Sequence, residues 1–112
     1  RVLYMRAEDL ASAGMDDVLM RRLCSVPRLV IDDIGRTYMR RDGQSFGLYV
    51  LGSVLDARMN AGLPLLATSN YHGVALLARL GDSEEERDRN WRRLDGDVDG
   101  AHVLVRGKWD AK

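Results

Sequence analysis

Hydrophobic and polar positions follow two different periods along this chain. Val2 to Met5 is a short apolar run with strand character. From Ala7 to Cys24 the spacing turns helical: Met15, Val18, Leu19 and Leu23 recur at helical intervals, Gly14 divides the stretch in two, and Pro27 stops it. Leu29, Val30 and Ile31, inside Arg28 to Asp32, form a continuous branched run of the kind buried on both faces of a parallel sheet. Residues 35–44, "GRTYMRRDGQ", are polar and glycine-bearing and predict a loop. Ser45 then predicts a cap for a helix running to about Ala61. Its apolar set is Phe46, Val50, Leu51, Val54, Leu55 and Met59, with Tyr49, Ser53, Asp56 and Asn60 opposite. Gly47 and Gly52 each weaken that helix by about 1 kcal/mol, so packing must hold it.

Gly62 ends this helix, and Pro64 leads into "LLATSN", a second short buried strand that closes on small polar residues. Tyr71 to Leu80 and Glu84 to Leu94 predict two helices separated by Gly81 and Asp82. The turn "DGDVDG" leads to a last strand, His102 to Arg106. Strands alternating with helices predict an α/β fold with a parallel sheet and right-handed crossovers.

Composition narrows the classes. The 112 residues suffice for one domain with a real core and are too few for two. Lys plus Arg is 17 and Asp plus Glu is 17, so net charge does not argue for a nucleic-acid or membrane surface. No apolar run approaches the roughly 20 residues of a membrane span. One cysteine, Cys24, excludes an internal disulfide and fits a reducing, cytoplasmic setting. With that cysteine and two histidines, His72 and His102, a zinc site is not expected. The chain opens on "RVLYM", without an initiator Met or polar lead-in, which predicts a piece of something longer.

The candidate chemistry sits where strands end. Asp32 and Asp33 close one strand, and Thr68, Ser69 and Asn70 close the other. In open parallel sheets functional groups gather beyond the carboxyl ends of the strands. Burying two adjacent carboxylates without a partner is costly, so a cation or water must reach them. Magnesium takes oxygen ligands and needs only one or two carboxylates. An acid pair beside a polar cluster therefore suits magnesium and phosphate chemistry.

"RLVIDDIG", a helix containing "LDARMNAGLP", then "LLATSN" and "RLGDSEEERDRNWRRL" together resemble the AAA+ ATPases of the helicase-loader and transposition-helper group, the DnaC and IstB type. The similarity runs from residue 2 to about residue 107. It implies a three-layer, parallel-sheet P-loop NTPase core over residues 1–112, a partial AAA+ domain reaching from Walker B to the arginine-finger region. By that resemblance ATP and magnesium (Mg2+) are the cofactors. Asp32 would hold magnesium through water, Asp33 would polarise the attacking water, and Asn70 would orient it. Arg89 or Arg93 would reach a neighbouring subunit's nucleotide, a contact that can be worth about 10³ or more in rate. Arg58 matches a recurrent arginine of structure or subunit contact. The implied partners are a replicative helicase or a transposase, single-stranded DNA, and further copies of the chain.

The sequence departs from that group at two places. No G-x-x-x-x-G-K-[ST] loop is present, so the Walker A strand and its phosphate cradle are absent and tight nucleotide binding by these residues alone is not expected. The end reads "GKWDAK" in place of the group's Ser-Tyr-Arg. In the resembled family the phosphate-loop strand lies between the sensor strand and the last strand. Without it "LLAT" has an open edge, and a chain folding alone must displace or swap "HVLVR".

Other readings exist for each feature. An acid pair can simply follow a strand, "TSN" can cap a helix, and Arg87, Arg89, Arg92 and Arg93 among acids can be a solvated helix face. Cys24 and the methionines read as packing. A phosphoacceptor receiver would use Asp32, Asp33, Thr68 and Lys108, but it lacks a phosphoacceptor Asp on an intervening strand. A non-catalytic AAA+-shaped module that docks a replication or transposition partner is the remaining alternative.

Overall fold

The computed structural model describes residues 2–35, 46–71, 73–95 and 102–106. Four strands, Val2–Arg6 (β1), Arg28–Asp32 (β2), Leu65–Ser69 (β3) and His102–Arg106 (β4), form one parallel sheet in the order β1-β2-β3-β4. The helices are Leu10–Ala13 (α1, after a 3-10 turn at Ala7–Asp9), Asp17–Ser25 (α2), Phe46–Ala61 (α3), Gly73–Leu77 (α4) and Glu84–Asp95 (α5). The parallel α/β expectation is met.

The strand order has a consequence for layering. Each strand is placed beyond the last in the same direction, and right-handed crossovers taken one way put their helices on one face of the sheet. Burial agrees. Met5, Leu29, Ile31, Leu65 and Ala67 point to the helices and are buried, while Val2, Tyr4 and Leu66 on the other face remain exposed. The described residues therefore form two layers, not the three that were expected, because the sheet has no point at which strand order reverses. β4 lies hydrogen-bonded to β3, from Leu65↔His102 to Ser69↔Arg106. The last strand thus takes the place beside β3.

The core is built on α3, which packs against α1, α2 and α5. Val50, Leu51, Val54 and Leu55 are buried as predicted, and Leu48 and the charged Arg58 join them. Phe46 stays exposed, stacked with Tyr49 at the helix start. Each fully buried Leu or Ile contributes about 1.5–3 kcal/mol, which offsets the penalty of Gly47 and Gly52 in this helix.

Three local expectations change. The Ala7 to Cys24 stretch breaks where predicted, but α2 begins only at Asp17, capped by Asp16, whose carboxylate accepts from the backbone N–H of Val18 at 3.0 Å and of Leu19 at 3.1 Å. Met15 consequently falls outside the helix, and it and Val18 are exposed, leaving Leu23 as the buried member of that set. The helix expected over Tyr71 to Leu80 is confined to Gly73–Leu77. The predicted Ser45 cap, most of the 35–44 loop, residues 96–100 of "DGDVDG", His72, Lys108 and Trp109 lie outside the described residues. Cys24 is half-buried against the core, and burial pushes its thiol pKa up, in keeping with packing. Trp91 also packs against the core.

Candidate functional site

The β2 and β3 tips lie side by side, paired through Ile31↔Ala67. Alternation along β2 sends Asp32 to the open face, next to Tyr4 and Arg6 of β1. The Tyr4 phenol donates to Asp32 Oδ2 at 2.6 Å, and the Thr68 hydroxyl donates to Asp32 Oδ1. Thr68 Oγ1 also accepts from the backbone N–H of Asp33 at 2.9 Å, so one threonine side chain holds both aspartates. These bonds, Thr68 first and Tyr4 second, hold the Asp32 carboxyl below its ordinary pKa. Asp32 is ionised at neutral pH. The same contact pushes the Tyr4 phenol up.

Beyond Asp32 the backbone turns sharply. Asp33 adopts a left-handed φ of 65° and Gly35 a φ of 107°. Asp tolerates this region better than most residues, but a neighbouring structure must hold it there. The backbone N–H of Ile34 donates to the carbonyl of Thr68 at 2.8 Å, and Ser69 Oγ donates to the carbonyl of Ile34 at 2.6 Å. Ile34 is fully buried beneath the turn. Ser69 Oγ also accepts from the N–H of Tyr71 at 3.1 Å, ordering the chain just past Asn70. Arg79, from the turn after α4, donates to the carbonyl of Gly35 at 2.9 Å and lies 4.0 Å over the Tyr71 ring.

Asp32, Asp33 and Asn70 thus come from two neighbouring strand ends, with Asn70 exposed directly after β3. Arg89 and Arg93 do not join them. Both line a cleft of about 260 Å³ between α3 and α5, none of whose lining residues comes from the strand tips. Arg93 is bound within the chain, its guanidinium 3.0 Å from Asp56 of α3, whereas Arg89 is exposed. A larger cleft, about 610 Å³, runs along α2 past Asp17, Arg21 and Cys24, away from the acid pair.

The donor set can be tested against a hydrated magnesium ion. Asp32 is ionised, each of its oxygens accepts one hydroxyl, and lone pairs remain for waters around a cation. Direct ligation by protein alone is not available, since no group of three or more His, Cys, Asp or Glu among the described residues could hold a metal. The Asp32 carboxylate has the charge and the free lone pairs that a hydrated magnesium ion would need. For phosphates, the described residues offer no glycine-rich loop running into a helix N-terminus.

The sequence points to the acid pair and Asn70 at strand ends, and does not point to Tyr4 as a partner of Asp32 or to Arg79 beside Gly35. The alternation of β1 puts Tyr4 on the open face, a signal that was present, while Arg79 carries none. No helix of the described residues is long and apolar enough to cross a membrane. No known family model matches the chain, and no curated protein matches it.

Proposed function

We propose that this chain is the Walker B to arginine-finger segment of an ATP-hydrolysing AAA+ protein that loads a replicative helicase or assists a transposase. The observation that carries the reading is the Asp32–Thr68 contact across adjacent strand tips, which keeps one carboxylate charged and the next residue, Asp33, at the edge of the same turn. Asp32 would hold hydrated magnesium, whose chemistry is to neutralise phosphate charge. Asp33 and Asn70 would orient the attacking water, and Arg89 or Arg93 would serve a neighbouring copy in a cytoplasmic assembly. The phosphate cradle must come from residues other than these. The test is magnesium-dependent ATP hydrolysis by the full-length protein. Asp33→Asn abolishes turnover on this reading, and turnover that survives Asp33→Asn rejects it.

A second reading is a non-catalytic interaction module of the same shape. Two observations favour it: β4 occupies the edge of β3, and Arg93 is already engaged with Asp56. On this reading the full-length protein neither binds nor hydrolyses ATP, yet still captures its helicase or transposase partner.

A further inference from the structure

We propose that Arg79 is a positioning residue that fixes the Asp33 turn and the Asn70 segment relative to each other, an inference that rests on the magnesium-nucleotide reading of the strand tips. Gly35 stands two residues after Asp33, and Tyr71 stands one after Asn70. Arg79 touches both at once, through its 2.9 Å bond to the Gly35 carbonyl and its stacking 4.0 Å above the Tyr71 ring. It does so from 44 residues beyond Gly35. A planar guanidinium can direct an in-plane donor to a carbonyl while laying its face on a ring; an ammonium can do only the first well.

The three groups are fitted together. A Cβ on Gly35 would come within 2.9 Å of the Tyr71 ring and 3.4 Å of Arg79 Cδ, so the glycine is needed for space as well as for its positive φ. The bonds from Thr68 and Ser69 fix the turn only as far as Ile34. Beyond it, Arg79 holds the Gly35 carbonyl. The strained Asp33 conformation is thereby pinned on both sides, from β3 before it and from Arg79 after it. Both contacts fall on residues that flank the candidate site, Gly35 after Asp33 and Tyr71 after Asn70, so they reach it through the turn.

Manganese serves as a paramagnetic stand-in for magnesium in the full-length protein. In the wild type, Mn2+ broadens the NMR signals of Asp33 and Asn70 over the same concentration range. Arg79→Met weakens Mn2+ affinity about tenfold, the scale of outer-shell partners of metal sites, and at saturation the broadening of Asn70 and Asp33 splits, because the two no longer keep the same distances from the ion. Arg79→Lys, which keeps a donor for Gly35, lies between. A urea midpoint for each variant separates this from loss of fold. Should Arg79→Met not fold, Tyr71→Leu removes the ring and leaves the Gly35 bond, and the same split is read there. Wild-type binding with unchanged affinity and joint broadening in the variants overturns the positioning role alone. Absence of Mn2+ broadening in the wild type rejects the nucleotide-site reading and this role with it.

Discussion

Arg58 Nη1 donates to the carbonyl of Leu23 across 2.9 Å, joining the last turn of α3 to the last turn of α2. Leu23 carries one of the helix-end carbonyls that have no partner within their own helix. Nη2 of the same side chain reaches the carbonyl of Pro64 at 2.6 Å and that of Pro27 at 3.4 Å, on the segments leading into β3 and β2. A fully buried cation thus ties two helix ends to two strand starts, with Nε left unpartnered. Arg58→Met keeps the volume and strands the carbonyls. At about 1–3 kcal/mol for each buried group left unsatisfied, the expected net loss is about 2–4 kcal/mol. Urea unfolding measures it, and a loss well below that range would mean that water replaces the guanidinium.

The hydroxyls on Asp32 make stability depend on acid. Its folded pKa is depressed, by Thr68 first and Tyr4 second, so its contribution is fully present above the ordinary aspartate value of about 3.9 and is lost as pH falls through the folded value. Thr68→Val raises the Asp32 pKa more than Tyr4→Phe does. Both variants flatten the acid side of the stability curve in that order. A carboxyl-carbon NMR titration reads the shift directly, and an unmoved Asp32 in Thr68→Val would show that the hydroxyl does not govern it.

What could be read in advance follows from how far each signal travels along the chain. A strand's apolar run and the polar residue that ends it are local, so β2, β3, the acid pair and Asn70 stand in the sequence as they stand in the fold. The partners of Asp32 are not local: Tyr4 is 28 residues away and Thr68 is 36, and only the parallel register brings them together. In the sequence Arg58 stands only as a recurrent arginine of structure or subunit contact, because three carbonyls from three other segments converge on it only in the folded chain. Met15 and Val18 matched a helical period, but the Asp16 cap starts α2 too late for that register to bury them. The two-layer arrangement of the described residues follows from the placement of β4 beside β3, which no periodicity encodes.

Arg93 and Asp56 offer a way to separate bracing from catalysis. Their 3.0 Å ion pair joins α5 to α3, with the Asp56 side chain half exposed. Partly exposed pairs of this kind contribute about 0–1 kcal/mol. Arg93→Ala and Asp56→Asn are therefore expected to change stability by less than about 1 kcal/mol each. On the ATPase reading proposed above, only Arg93→Ala lowers ATP turnover in the full-length protein, with nucleotide binding preserved. Equal effects of the two substitutions on turnover would reduce Arg93 to a brace, and unchanged turnover in Arg93→Ala rejects its finger role.

Gly14, the C-cap of α1, lies against Val50 and Phe46 of α3, and the prediction there turns on space and not on backbone freedom. Its φ of −66° and ψ of −16° are open to any residue. Alanine would favour a helical conformation by up to about 1 kcal/mol. Yet a Cβ at this position would lie 2.4 Å from Cγ2 of Val50 and 3.0 Å from the ring of Phe46. Phe46 is exposed enough to swing aside, but Val50 is buried and, as a β-branched residue in a helix, has one strongly preferred rotamer. Overpacking should win, and Gly14→Ala is expected to destabilise by about 1–3 kcal/mol in urea unfolding. Adding Val50→Ala removes the clash, so the double variant should be more stable than the two single losses sum to. A Gly14→Ala protein more stable than the wild type would mean that the two helices do not approach this closely.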